Sequence, residues 1–235
     1  MEKIKKRIAI IPARGGSKRI LNKNIRNFCG EPMITYILKT AFESDLFDVI
    51  HVSTDSNLTK EVVERNGFKV EFMRPADLAD DLSPIMPVLK FVIEEYHLRG
   101  SIFEETWLLM ACSPLITSID LQKAAVYFEL NGAQRPVLAI SEYPVPIEWA
   151  FIRQSDGILT PVNTGIFQVR SQDLNKKYFD AGIFAIYPSE LVRNSKGAGT
   201  DCGYLGYVLQ KGTTIDIDDE SDWELAEAMY RSRKA

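Results

Sequence analysis

From residue 7 to residue 141, short apolar runs alternate with segments of helical period, and this alternation restricts the fold more than any other feature of the chain. Strands separated by helical segments imply βαβ units and an α/β fold with a doubly wound, mostly parallel sheet. The spacing predicts strands over 7–11, 49–53, 69–72, 106–110 and 136–141, and helices over 31–44, 57–66, 85–96 and 118–130. Pro32 falls near the first turn of the first helix, and Pro84 and Pro87 at the start of the third, where proline is tolerated. Ser118 is the expected cap of the fourth. Further strands are predicted over 182–187, 204–209 and 213–217. A closing helix over 220–231 carries Trp223, Ala226, Met229 and Tyr230 on one side. Such sheets bind ligands at the carboxyl ends of their strands, so the loops after the strands carry the functional information.

Between 142 and 180 the alternation breaks down. Tyr143, Pro144, Pro146, Trp149, Phe151, Pro161 and Phe167 crowd a stretch with no helical period, which reads as an extended arm inserted into one domain spanning 1–235. At 235 residues the chain can build a single core without staples. No apolar run approaches the roughly 18 residues needed to cross a bilayer, and the four apolar residues 8–11 are too few for a signal peptide. A net charge of −4 argues against a nucleic-acid partner. Cys29, Cys112 and Cys202 are widely spaced without a C-x-x-C, as expected of reduced thiols in a cytoplasmic protein. The only histidines, His51 and His97, fall in a strand and at a helix end, where structural roles are expected.

The segment after the first strand is Pro12-Ala13-Arg14-Gly15-Gly16-Ser17-Lys18-Arg19-Ile20-Leu21-Asn22-Lys23-Asn24. Gly15 and Gly16 would let backbone N–H groups converge on an anion, and Arg14, Lys18, Arg19, Lys23 and Arg26 supply cations for a triphosphate. The loop is neither G-x-x-x-x-G-K-[ST] nor G-x-G-x-x-G. On charge alone it could be a solvated basic surface. Its position at the end of the first strand argues for a phosphate site.

This loop resembles the nucleotide loop of the cytidylyltransferases that activate sialic and related nonulosonic acids. The resemblance continues through Ser53-Thr54-Asp55, Arg74-Pro75 with Leu78-Ala79-Asp80-Asp81, Ser113-Pro114-Leu115, and Asp216-Ile217-Asp218 with Asp222. Within that family, the segments 170–174 and 180–182, together with Arg19, look most like pseudaminic acid enzymes. The chain departs from the family pattern at Leu21, Leu82, Met110, Ala111, Cys112, Trp149, Phe179 and Ile183.

The resemblance implies transfer of CMP from CTP to a nonulosonic acid with release of pyrophosphate. It gives catalytic weight to Lys23, Arg14, Asp216 and Asp218. It assigns substrate contacts to Arg14, Gly15, Gly16, Ser17, Lys18, Asn24, Arg74 and Ser83, and to Arg170, Gln172, Asp173 and Asp180 on the sugar side. Asp216 and Asp218, two apart on a predicted strand, would share one face and could hold Mg²⁺. The same acidic run would also suit a helix N-terminus, a role that fits Asp219, Glu220 and Asp222. Phe179 and Ile183 stand where relatives have histidine and glutamine. If both face the sugar, a substrate with an apolar group there and a less selective enzyme are expected. The aromatic arm is expected to pair two subunits as a homodimer, as it does in the family. A cytidylyltransferase for sialic, legionaminic or octulosonic acid is the neighbouring reading. A catalytically silent nucleotide-sugar-binding protein is the more distant one, and retention of Lys23, Asp216 and Asp218 together argues against it.

Overall fold

The computed structural model describes residues 6–80, 83–199 and 202–234; Asp81 and Leu82 of the sequence motifs lie outside the described residues. The first half runs β1 (Arg7–Pro12), the two-residue strands β2 (Asn27–Phe28) and β3 (Glu31–Pro32), α1 (Met33–Glu43), β4 (Val49–Ser53) and α2 (Asn57–Arg65). There follow α3 (Ile85–Leu98), β5 (Glu105–Leu109), α4 (Ser118–Leu130) and β6 (Val137–Glu142). The second half adds the short strands β7 (Phe151–Arg153) and β8 (Leu159–Pro161), then β9 (Tyr178–Pro188), α5 (Ser189–Arg193), β10 (Leu205–Val208) and α6 (Glu220–Lys234).

Six strands form the central sheet in the order β10-β6-β9-β5-β1-β4. β1 pairs in parallel with β4 and β5, and β10 with β6, while β9 runs antiparallel to both of its neighbours. The mostly parallel α/β architecture therefore matches the alternation in the sequence. β1 is buried on both faces. Ala9 and Ile11 pack with Ile34, Ile37 and Leu38 of α1 and Leu121 and Phe128 of α4. Ile8 and Ile10 pack on the other face with Leu89, Val92 and Ile93 of α3. A third, smaller cluster lies beyond the end of β1 and joins Ile20, Phe28 and Met33 to Ile217, Trp223 and Ala226.

Three local expectations are corrected. Residues 69–72 form no strand: of this run only Val70 is fully buried, Lys69 pairs with Glu71 at 3.0 Å, and the backbone bond nearby is made just beyond β4, where the Arg74 amide donates to the Thr54 carbonyl at 2.8 Å. Residues 213–217 also lie outside the sheet, turning through a Thr213 amide bond to the Gln210 carbonyl. The cap of α4 is Thr117 rather than Ser118, with Thr117 and Asp120 exchanging side-chain-to-backbone bonds in a capping box. Between β6 and β9 the chain makes an excursion built on the antiparallel β7–β8 pair. It returns where Ser141 and Glu142 face Phe179 and Tyr178.

His51 illustrates how the core treats its few polar groups. It is 1% exposed, stacks on Phe72 with ring centroids 4.4 Å apart, and its Nδ1 lies 3.3 Å from the Tyr96 hydroxyl. Burial, reinforced by Arg74 and Arg99, pushes its pKa down to about 3, so it is neutral in the fold. The unfolded chain takes up a proton near pH 6.5 that the folded chain refuses, so stability present above pH 6.5 is lost progressively as pH falls toward 3. Between pH 7 and pH 5 the wild type should lose about 2 kcal/mol more stability than His51→Phe. Urea unfolding at both pH values measures this, and equal losses would contradict it.

Candidate active site

The loop after β1 is shaped by three local demands. Ala13 continues the ladder by donating its amide to the Ser53 carbonyl at 2.9 Å, which brings the loop against the end of β4. Gly15 then passes so close to Ser56 that a Cβ there would sit 2.9 Å from the Ser56 Cβ, so glycine is required by close approach. Its amide donates to Asp55 Oδ1 at 2.9 Å and is not available to an anion. A Cβ on Gly16 would meet nothing within 4 Å. The left-handed residue of the loop is Asn22, with φ of 53°, not either glycine. Farther on, Ile20 is fully buried in the third cluster and fixes the middle of the loop.

Around this anchor the cations diverge. Arg14 Nη1 donates to the Asp80 carbonyl at 2.9 Å. Lys23 Nζ donates to the Ile217 carbonyl at 2.5 Å and lies 3.8 Å from Asp218 Oδ1. Arg19 Nη1 is 2.7 Å from Asp218 Oδ2. Arg26, expected among the phosphate cations, turns away: it pairs with Glu220 at 2.6 Å and lies over the Trp223 ring at 4.6 Å. Asn24 is held between the Arg14 carbonyl, to which its Nδ2 donates at 3.1 Å, and the Cys112 thiol, whose Sγ is 3.4 Å from its Oδ1. Burial pushes the Cys112 thiol up to about 12, so it stays a protonated donor and a packing group.

Arg74 closes the far wall. Its Nε donates to Ser53 Oγ at 3.0 Å and its Nη2 to the Ser53 carbonyl at 2.6 Å. Burial lowers its pKa to about 10; Asp55 opposes this and Arg14 adds to it, leaving a cation at neutral pH. Ser83 sits beside it, with its amide on Asp80 Oδ1 at 2.6 Å and its hydroxyl on the Asp77 carbonyl at 3.2 Å. Arg14, Ser17, Lys18, Arg19, Lys23, Asn24, Arg74 and Ser83 together line one cleft of about 500 Å³, with Val88 and Met110 among its apolar lining.

Asp218 meets this cleft through Lys23 and Arg19, and neither it nor Asp216 lies on a strand face, because 213–218 belongs to no ladder. The Asp216 carboxyl is pushed up by burial first and by the Asp218 charge second, while Lys23 and Arg19 pull it back. Asp219 and Asp222 serve the start of α6: the Asp222 amide donates to Asp219 Oδ1 at 3.0 Å, and Asp222 Oδ2 accepts from the amides of Asp218 and Asp219. Among the described residues no group of three His, Cys, Asp or Glu side chains forms a ready-made metal shell.

The sugar-side candidates are not brought into this cleft. Arg170 Nε donates to Asp173 Oδ2 at 3.0 Å on the arm, and Gln172 lines a second groove of about 440 Å³ with Tyr143, Pro146 and Lys177. Asp180 Oδ1 accepts from the Gly182 amide at 2.9 Å. Ile183 is 2% exposed and belongs to the main core, so its apolar character reflects packing and not substrate choice. Phe179 is exposed on the arm against Tyr143, with ring centroids 4.9 Å apart. The sequence reading missed the structural parts of the site. Ser53 anchors Arg74, Asp55 holds the Gly15 amide, and Asp80 is shared between Arg14 and Ser83. Their sequence signals were the position of Ser53-Thr54-Asp55 at the carboxyl end of a parallel strand and the Leu78-Ala79-Asp80-Asp81 motif, neither of which gave these roles.

The family model described as cytidylyltransferase matches residues 8–136. Over 96% of its length the chain is 32% identical to a pseudaminic acid cytidylyltransferase of Campylobacter jejuni, of which it covers 97%. It is 30% identical over 93% of its length to an N-acylneuraminate cytidylyltransferase of Streptococcus agalactiae, a longer protein of which it covers 52%. The fold is shared with CMP:2-keto-3-deoxy-manno-octonic acid synthetase, solved in complex with CTP, at a TM-score of 0.70, 16% identity and coverage of 97% and 99% of the two chains.

Proposed function

The chain belongs to the cytidylyltransferase family, and on that premise we propose that it transfers CMP from CTP to a nonulosonic acid of the pseudaminic class, releasing pyrophosphate. The observation that carries this reading is a single cleft lined by four cations of one loop, Arg14, Lys18, Arg19 and Lys23, of which Arg19 and Lys23 meet Asp218. The sugar's anomeric hydroxyl attacks the α-phosphorus, an O–P bond forms, the bond to the β-phosphate oxygen breaks, and the hydroxyl proton leaves to solvent. Negative charge grows on the phosphoryl oxygens and the departing pyrophosphate, so the protein's work is positioning and neutralisation.

Arg14, Lys18 and Lys23 take the phosphates, with the arginine suited to forked contacts and the lysines to point contacts. The Ile217 carbonyl holds the Lys23 ammonium in place, and the Asp80 carbonyl holds the Arg14 guanidinium. Asn24 orders the loop through the Arg14 carbonyl. Arg74 and Ser83 form the opposite wall, where the nucleoside lies. Asp216 and Asp218 are the residues that would hold Mg²⁺: burial first and the Asp218 charge second push the Asp216 carboxyl up, and a hard cation would favour the ionised pair. Mg²⁺ bound there would neutralise phosphoryl charge and complete its coordination with phosphate and water oxygens.

The arm supplies the second half of the site in a homodimer. Val145, Ile152, Ile158 and Phe167 stand exposed along it, more apolar surface than a lone chain usually leaves in one excursion. In the dimer, Arg170 would reach the partner's sugar and attract its carboxylate. No helix among the described residues is long and apolar enough to cross a membrane. We place the reaction in the cytoplasm.

Pyrophosphate release across nucleoside triphosphates and nonulosonic acids tests the activity. CTP with pseudaminic acid should give the highest kcat/KM, and either Asp216→Asn or Asp218→Asn should lower turnover roughly 100-fold or more with the fold intact. Equal rates with sialic acid would move the substrate to the neighbouring reading, and near-normal Mg²⁺-dependent turnover in both variants would remove the metal assignment. Sedimentation at micromolar concentration should show a dimer. A fully active monomer would refute the arm's role.

A further inference from the structure

Arg19 differs from the other cations of its loop in what it does without substrate. Its neighbour Ile20 is fully buried, so the backbone there is fixed, yet the Arg19 side chain is 68% exposed and reaches out to Asp218. Its Nη1 lies 2.7 Å from Asp218 Oδ2, closer than Lys23 Nζ, which is 3.8 Å from Oδ1. Lys23 is only 21% exposed and is tied to the Ile217 carbonyl, so it cannot leave. An exposed arginine on an anchored backbone can reorient at the cost of side-chain rotamers alone.

The charges around it make that movement consequential. Arg19 and Lys23 already offset Asp216 and Asp218, and Arg14, Lys18 and Arg74 add positive charge to the same cleft. A lone divalent cation entering the empty cleft therefore meets a carboxylate that is already paired. A triphosphate reverses this balance, because its oxygens compete for the Arg19 guanidinium and offer bidentate contacts.

We propose that Arg19 is a placeholder for the divalent cation: it neutralises Asp218 while the cleft is empty and passes to the triphosphate on binding, so that Asp218 is presented to the cation together with the nucleotide. The inference rests on the reading of Asp216 and Asp218 as the residues that hold the cation. Metal and nucleotide binding are then coupled, each strengthening the other by the same factor.

Mn²⁺ followed by electron spin resonance, titrated with the full chain in the absence and presence of CTP and without sugar, tests this under conditions that allow no turnover. Without CTP, Arg19→Ala should bind Mn²⁺ about two- to fivefold more tightly than wild type, as removal of one competing exposed charge allows. High salt should shrink the gain. The enhancement of Mn²⁺ binding by CTP should be smaller in Arg19→Ala than in wild type, and the gain should vanish in the double variant with Asp218→Asn. Arg19→Gln, which keeps the length and removes the charge, should behave as Arg19→Ala. If Arg19→Ala and wild type bind Mn²⁺ equally without CTP, while Asp218→Asn still weakens Mn²⁺ binding in the CTP complex, the placeholder is wrong and the cation reading stands. If Asp216→Asn and Asp218→Asn both leave Mn²⁺ binding to the CTP complex unchanged, the cation reading fails and the placeholder falls with it.

Discussion

Burial of Ile20 beside Ile217 is the contact on which the site depends. A loop with cations at 14, 18, 19 and 23 repels itself, and the bonds from Arg14 to the Asp80 carbonyl and from Arg19 to Asp218 are exposed ones. Ile20 and Ile217 are each about 1% exposed in one small cluster with Phe28, Met33, Trp223 and Ala226. Full burial of a side chain of that size contributes about 1.5–3 kcal/mol, enough to oppose the screened repulsion of exposed charges. The same cluster joins two segments almost two hundred residues apart in sequence. It sets the basic loop and the acidic segment facing each other, and the bond from Lys23 to the Ile217 carbonyl follows from that juxtaposition. Arg26 serves the cluster from outside, through Glu220 and the face of Trp223.

Much of this was legible in the residue order, and the exceptions share a cause. The parallel strands around β1 showed themselves because runs such as 7–11 are buried on both faces and read as continuous apolar sequence. The loop's place in the lining of the cleft followed from its position after such a strand. Residues 69–72 and 213–217 have strand composition but no ladder, since a local pattern carries no information about which edge is open. The local reason for a glycine at 15 was hidden in the same way. Gly15 is required by the approach of Ser56, a residue of another loop, and the left-handed conformation falls instead on Asn22. Asp219 and Asp222 were readable as helix-start residues because capping is local.

The cleft and the arm carry separate groups of candidate residues. The cleft is lined from the end of β1, the loop after it and the segment from Arg74 to Ser83. Arg170, Gln172 and Asp173 stand on the excursion between β6 and β9, where Val145, Ile152, Ile158 and Phe167 are also exposed. Departures from the family pattern fall in both regions: Met110 lines the cleft and Cys112 meets Asn24, while others lie on the arm. Trp149 and Phe179 are both there, whereas Ile183, at the base of the excursion, is a core residue.

If the basic loop and the acidic segment form one site, Lys23 and Asp218 must act together on the transferring phosphate. A double-mutant cycle on kcat/KM for CTP, with Lys23→Met, Asp218→Asn and the pair, measures this directly. The account requires the double variant to be about as slow as the slower single one, as for groups that work as a unit. Losses that multiply would show two independent contributions and contradict it.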